Sequence, residues 1–288
     1  MIALAVCYQG VYLRPRRAEA VAGAPGQLTP ESAAELQEQI RALLRKGATR
    51  EALPLARRVL EAFPENPIYL RRLAEMQGEL GDFQEAAALW ERFMLVAPSP
   101  GESSPMLGEA YRKLGQLDKA IDACQRAAAA EPRNSEIRYY LGRAYEWARQ
   151  YPKAKETYQQ VCALNPGNSD GALGWARMEV FAGDPAQAGK LTAQVLAHAP
   201  ENTDALLVAG MALRQQGRYP EARAALEKAL RLHPSGDAML VLAGVSVSQD
   251  RIPEAISWYD RYLALNPGDA EAARMRSRLA GPDGKPKP

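Results

Sequence analysis

Prolines stand at 64, 98, 132, 166, 200 and 234, each 34 residues after the last, and Pro267 follows after 33. A fixed period of this size excludes most folds at once, because a chain that repeats one short unit builds a linear stack in which each unit packs on its neighbours. Other columns fall into step with the prolines. Ala52, Ala86, Ala120, Ala154, Ala188, Ala222 and Ala255 each lie 12 residues before a closing proline, and Gly47, Gly81, Gly115, Gly183 and Gly217 lie 17 before it. The near-identical ALNPGN (163–168) and ALNPGD (264–269) are equivalent corners three units apart, less one deleted residue.

One unit is readable in LGEAYRKLGQLDKAIDACQRAAAAEP (107–132). Leu107, Ala110, Tyr111 and Leu114 recur at helical spacing, Gly115 interrupts, and Leu117, Ala120, Ile121, Cys124 and Ala127 resume it. This predicts two helices joined by a tight turn. Glycine suits the turn because it tolerates positive φ at a helix end, and the alanine column lets paired helices approach closely. Pro152, Pro185, Pro220 and Pro253 mark the openings of second helices, where a missing N–H costs little.

The pattern resembles the tetratricopeptide repeat family, of bacterial type, on LGEAY (107–111) and LGRAY (141–145) together with the Ala and Pro columns. The resemblance implies an all-α, right-handed α-solenoid of about seven helix-turn-helix units: 33–66, 67–100, 101–134, 135–168, 169–202, 203–235 and 236–269. A capping helix follows at 270–280 and a disordered tail at 281–288. The first unit lacks the Leu-Gly pair and carries Pro54 inside its second helix, while the fifth has Trp175 and Ala176 where Leu and Gly usually stand. Pro105 falls near the first turn of the third unit's first helix and is expected to shorten it.

In this family the first helices line a concave wall, with positions 5, 9, 12 and 13 of each unit facing inward. The resemblance therefore implies a partner-binding surface from Tyr139, Arg143, Glu146 and Trp147, then Leu173, Arg177, Val180 and Phe181, then Leu207, Met211, Arg214 and Gln215, with Leu240 and Val247 beyond. Trp147 with Phe181, and Arg143 with Arg177, would form two rows, and aromatic and arginine side chains are enriched where proteins meet. The expectation is a groove for an extended or helical peptide with apolar anchors and some negative charge. The other reading tucks Trp147 and Phe181 between units as core. Arg71, Arg72, Glu75, Glu79, Glu109, Arg112 and Lys113 read as a solvated mixed-charge face. The Lys and Asn pattern by which some family members clamp a terminal carboxylate is missing.

A net charge of +2 argues against a strongly basic nucleic-acid binder. Cys7, Cys124 and Cys162 are too scattered for a disulfide framework or a zinc site, and His198 and His233 have no companion at ligand spacing. No phosphate-cradling glycine loop, HExxH or GxSxG occurs, and Glu221 and Glu227 fall on an outward second helix. We therefore expect a protein or peptide partner, with no catalytic residue, cofactor, metal, nucleic acid or small-molecule substrate. Residues 1–32 open with MIALAVCYQGVYL before RPRR, which is shorter than the roughly 20 residues needed to span a bilayer. Two readings stay open: the latter half of a membrane anchor, which implies a membrane-associated or periplasmic protein, or an apolar arm on a cytoplasmic one. The leading functional expectation is an adaptor or assembly factor for a larger complex. Its alternatives are a self-assembling scaffold and the non-catalytic targeting half of an enzyme system.

Overall fold

The computed structural model describes residues 28–280, which hold fifteen α-helices and no strand. The arm at 1–27 and the tail at 281–288 lie outside the described residues. The chain divides after Pro64 into two compact units. In the first, α1 (Pro30–Arg45) pairs with α2 (Thr49–Ala62) over Ile40, Ala52 and Val59, each wholly buried. Thr29 caps α1 by accepting from the Ser32 amide, and α2 runs through Pro54 without a break.

The second unit holds the remaining helices in order: α3 (Pro67–Glu79), α4 (Phe83–Val96), α5 (Ser104–Lys113), α6 (Leu117–Ala130), α7 (Ser135–Trp147), α8 (Tyr151–Leu164), α9 (Ser169–Ala182), α10 (Pro185–His198), α11 (Thr203–Gln215), α12 (Tyr219–Leu232), α13 (Gly236–Ser248), α14 (Ile252–Leu265) and α15 (Ala270–Leu279). The second unit is thus an all-α solenoid of helix-turn-helix pairs. Asn66, Asn134, Asn168 and Asn202 cap α3, α7, α9 and α11, each side chain accepting from a first-turn amide, and Ser235 and Asp269 do the same for α13 and α15. Each such cap is worth about 1 kcal/mol. The predicted prolines stand in the first turns of α8, α10, α12 and α14.

The alanine column is the seam of each helical pair, and all seven members are at most 1 % exposed. The glycine column is the turn between the paired helices, with φ from 70 to 82°. Its two gaps are filled by Arg149 at φ 55° and Asp250 at φ 57°, so the left-handed turn persists where glycine is missing. The deleted residue falls in the corner between α12 and α13, which has three residues (233–235) where the other inter-pair corners, α5's excepted, have four.

First helices also pack on one another, α5 on α7, α7 on α9, α9 on α11 and α11 on α13, which marks the inner side of the stack. α3 and α5 are not among these closely packed pairs. A 3-10 turn, Pro100–Ser103, precedes α5 and leaves it ten residues against thirteen in α3 and α7. Gly101 lies so close to Ile137 that a Cβ there would overlap the Ile137 side chain. The turn is pinned by its amide donating to Glu131 (3.1 Å) and by the Ser104 hydroxyl donating to the Gly101 carbonyl (2.7 Å). No helix of the described residues is long and apolar enough to cross a membrane.

Candidate functional site

Where α3 and α5 part, a cleft of ≈ 620 Å³ opens between α3, α4, α5 and α7. Phe83, Ala86 and Trp90 of α4 form its apolar floor, Met106 and Glu109 come from α5, Glu75 and Glu79 from α3, and Tyr140, Arg143 and Trp147 from α7. Trp90 is locked edge-on against Phe93, with ring centroids 5.4 Å apart. Met106 is 40 % exposed, a large apolar side chain at the mouth.

Trp147 carries two guanidiniums, Arg143 at 4.8 Å and Arg112 at 5.4 Å from the ring centroid. Two like charges gather on one ring because of what precedes each arginine in register. Arg177 of α9 finds Glu146 of α7, 31 residues earlier, and binds it through Nε (2.9 Å) and Nη2 (3.3 Å). The residue 31 before Arg143 is Arg112, which repels it. Arg112 instead takes its own helix neighbour Glu109 (Nε–Oε2, 2.7 Å), and Arg143 lies over Trp147 and Tyr139. The Arg112 hydrogen bond holds the Glu109 carboxyl below the usual carboxylate range, so it stays ionised at neutral pH.

The expected inner wall divides accordingly. Arg143 and Trp147 line the cleft. Tyr139 is half-buried against the Tyr140 and Tyr158 rings. Leu173 and Val180, each 3 % exposed, are core and present nothing to a partner, because α9 packs against both α7 and α11. Arg177 is neutralised by Glu146, which also accepts from the Tyr158 hydroxyl (2.7 Å), so the expected arginine row does not form. Phe181 is half exposed, and its ring meets that of Tyr151 with centroids 5.1 Å apart. Leu207 and Leu240 pack on the α12–α14 core, and Met211 on that of Ala176 and Val180. Arg214 lies across Gly244 of the next pair. Gln215 donates to the Val180 carbonyl (2.9 Å), and Val247 is exposed. Glu75, Glu79, Glu109 and Arg112, read from sequence as a solvated run, line the cleft instead. The signal that would have found them is the same column rule, applied one and two periods earlier.

Among the described residues no group of three or more His, Cys, Asp or Glu side chains is placed to hold a metal ion. Cys124 is wholly buried and burial pushes its thiol up to about 12, which leaves it an unreactive apolar filler.

Paired helices with an alanine seam, glycine turns and an inner wall of first helices define a class of repeat protein. Tetratricopeptide repeat families match at 38–102, 173–237 and 207–270, and at 111–176, and the chain belongs to the tetratricopeptide repeat family. No curated protein matches the sequence. Among solved structures, a tetratricopeptide repeat protein from Parabacteroides merdae ATCC 43184 superposes with a TM-score of 0.74 at 17% identity, covering 86% of this chain and 98% of that one. The APC/C hetero-tetramer Cut9-Hcn1 gives 0.65 at 16%, covering 84% and 55%. PilW, a type IV pilus biogenesis factor, gives 0.61 at 17%, covering 73% and 97%. At these identities the likeness is one of fold.

Proposed function

We propose that this chain is a protein-interaction adaptor or assembly factor that holds a segment of a partner polypeptide in the cleft between α3, α4, α5 and α7. The observation that carries the reading is the cleft itself. It is an apolar floor flanked by Trp147 with its stacked arginines and by exposed Met106, at the one step where consecutive first helices of α3 to α13 are not closely packed. Aromatic and arginine side chains around a concave apolar surface are what interface centres are made of. The partner belongs, in this proposal, to a larger complex under construction. In support, PilW, which shares the fold, is a type IV pilus biogenesis factor, and Cut9, which shares it too, is found in a hetero-tetramer with Hcn1. A photo-crosslinking residue in place of Met106, expressed in the native host, is expected to trap a discrete adduct. The same residue in place of Lys190, exposed on the second helix α10, should trap none. Equal labelling at the two positions would refute the assignment.

A further inference from the structure

What the cleft holds can be narrowed by its charge, on the footing that it is the peptide site. A second cavity of ≈ 620 Å³ adjoins it, and Pro105, Met106 and Tyr140 line both, forming the ridge between them. The second cavity is lined at its other side by the 3-10 turn and Ile137.

Its walls carry six carboxylates, Glu75, Glu79 and Glu109 in the first cavity and Glu102, Glu131 and Glu136 in the second. Against these stand four cations, the guanidiniums of Arg71, Arg112 and Arg143 and the Lys113 ammonium 3.9 Å from Glu109, and each is already engaged. Arg71 reaches both Glu75 (3.0 Å) and Glu102 (3.3 Å). Arg112 is held by Glu109 and Arg143 lies on aromatic rings. Glu131 is fixed at the rim by the Gly101 amide and the Asn134 side-chain amide, at 3.1 and 3.0 Å, with one further lone pair on each oxygen. The excess of negative charge is local, since the whole chain carries a formal +2.

We infer that the occupant is a cationic polypeptide segment, lying across the Met106–Tyr140 ridge with an apolar side chain over the Phe83–Trp90 floor and Lys or Arg side chains toward the glutamate rims. An acidic segment would enter against a net-negative wall whose arginines would have to give up existing partners, and like-charge juxtaposition is what excludes wrong partners. This reverses the negative charge expected from sequence, because Arg177 is paired with Glu146 and Arg143 is taken up by the Trp147 and Tyr139 rings.

The test is a displayed library of random peptides selected on the full chain, with peptides retained by Met106→Glu protein removed. Selected peptides are expected to be net positive with an apolar residue between basic ones. Their affinity should fall on the order of tenfold in Glu75→Lys/Glu102→Lys protein of unchanged helicity, and fall again as salt is raised. A selected peptide and its twin with Lys and Arg replaced by Glu, titrated on the wild-type chain, give the same answer without any variant. Enrichment of neutral or acidic peptides that still depend on Met106 would overturn the charge assignment and leave the peptide site standing. Failure to enrich any peptide that depends on Met106 would remove the site, and the charge assignment with it.

Discussion

Tyr158 of α8 supplies the sharpest test of the packing argument. Its side chain is wholly buried, and its ring fills the space over two glycines on successive first helices, Gly142 of α7 and Gly174 of α9. A Cβ at Gly174 would stand 2.6 Å from Tyr158 Cε1 and Cζ, and one at Gly142 would stand 2.7 Å from Cε1. The ring has no room to swing away, because its hydroxyl is tied to Glu146 at 2.7 Å and Glu146 is tied to Arg177. Overpacking of this kind costs about 3 kcal/mol at its upper end. Replacing a mid-helix glycine by alanine recovers about 1 kcal/mol of propensity, so Gly174→Ala is expected to lose about 2 kcal/mol net. The control is Gly78→Ala in α3, where a Cβ meets nothing within 4 Å and propensity alone acts, giving a gain of about 0.5 kcal/mol, below the interior value because Gly78 is the penultimate residue of the helix. Thermal melts followed by circular dichroism should show Gly174→Ala lower by about 5 °C and Gly78→Ala slightly raised. Adding Tyr158→Leu to Gly174→Ala should cost less than the two changes summed, since the smaller side chain relieves the overlap. A Gly174→Ala protein as stable as wild type would refute the claim that the ring is clamped.

Arg149 and Asp250 sit in left-handed backbone that penalises a side chain by about 1 kcal/mol, so Arg149→Gly and Asp250→Gly are each expected to raise the melting temperature. Arg223 holds the Glu254 carboxyl below its ordinary value through a hydrogen bond. A depressed folded value gives stability that is present above the unfolded pKa and lost as pH falls through the folded one, so melting temperatures should drop below about pH 4.5, less steeply in Glu254→Gln. Burial, then the neighbouring Glu91, pushes the Tyr111 hydroxyl up to about 12 from 10.0. That stabilisation is complete below pH 10 and fades toward 12, and Tyr111→Phe should flatten the alkaline decline in melting temperature. Light scattering over a concentration series should find a monomer if the cleft serves a partner, whereas growth into large homo-oligomers would favour a self-assembling scaffold.

Much of this fold was written in columns. The proline, alanine and glycine positions named helix ends, seams and turns because each depends on local backbone geometry or on one close approach, which repeat identically in every unit. The asparagine caps at 66, 134, 168 and 202 carry the same 34-residue signal. The site was less legible because side-chain partnership is not periodic. Arg143 and Arg177 occupy one column, yet a glutamate stands 31 residues before one and an arginine before the other, and that single difference decides which guanidinium is neutralised and which lies over Trp147. Likewise Pro105 predicted a shortened helix, but not that the 3-10 turn would tuck under Ile137 and leave a cavity on either side of Met106.

The parting of α3 from α5 has a mechanical meaning. Within the second unit cohesion passes from each brick to the next, and the step from α3 to α5 lacks a joint between first helices that the steps from α5 to α13 all keep. A polypeptide seated there touches both banks and becomes the missing mortar. On the proposed function, recognition and local stiffening of the α3–α5 step would then be a single event.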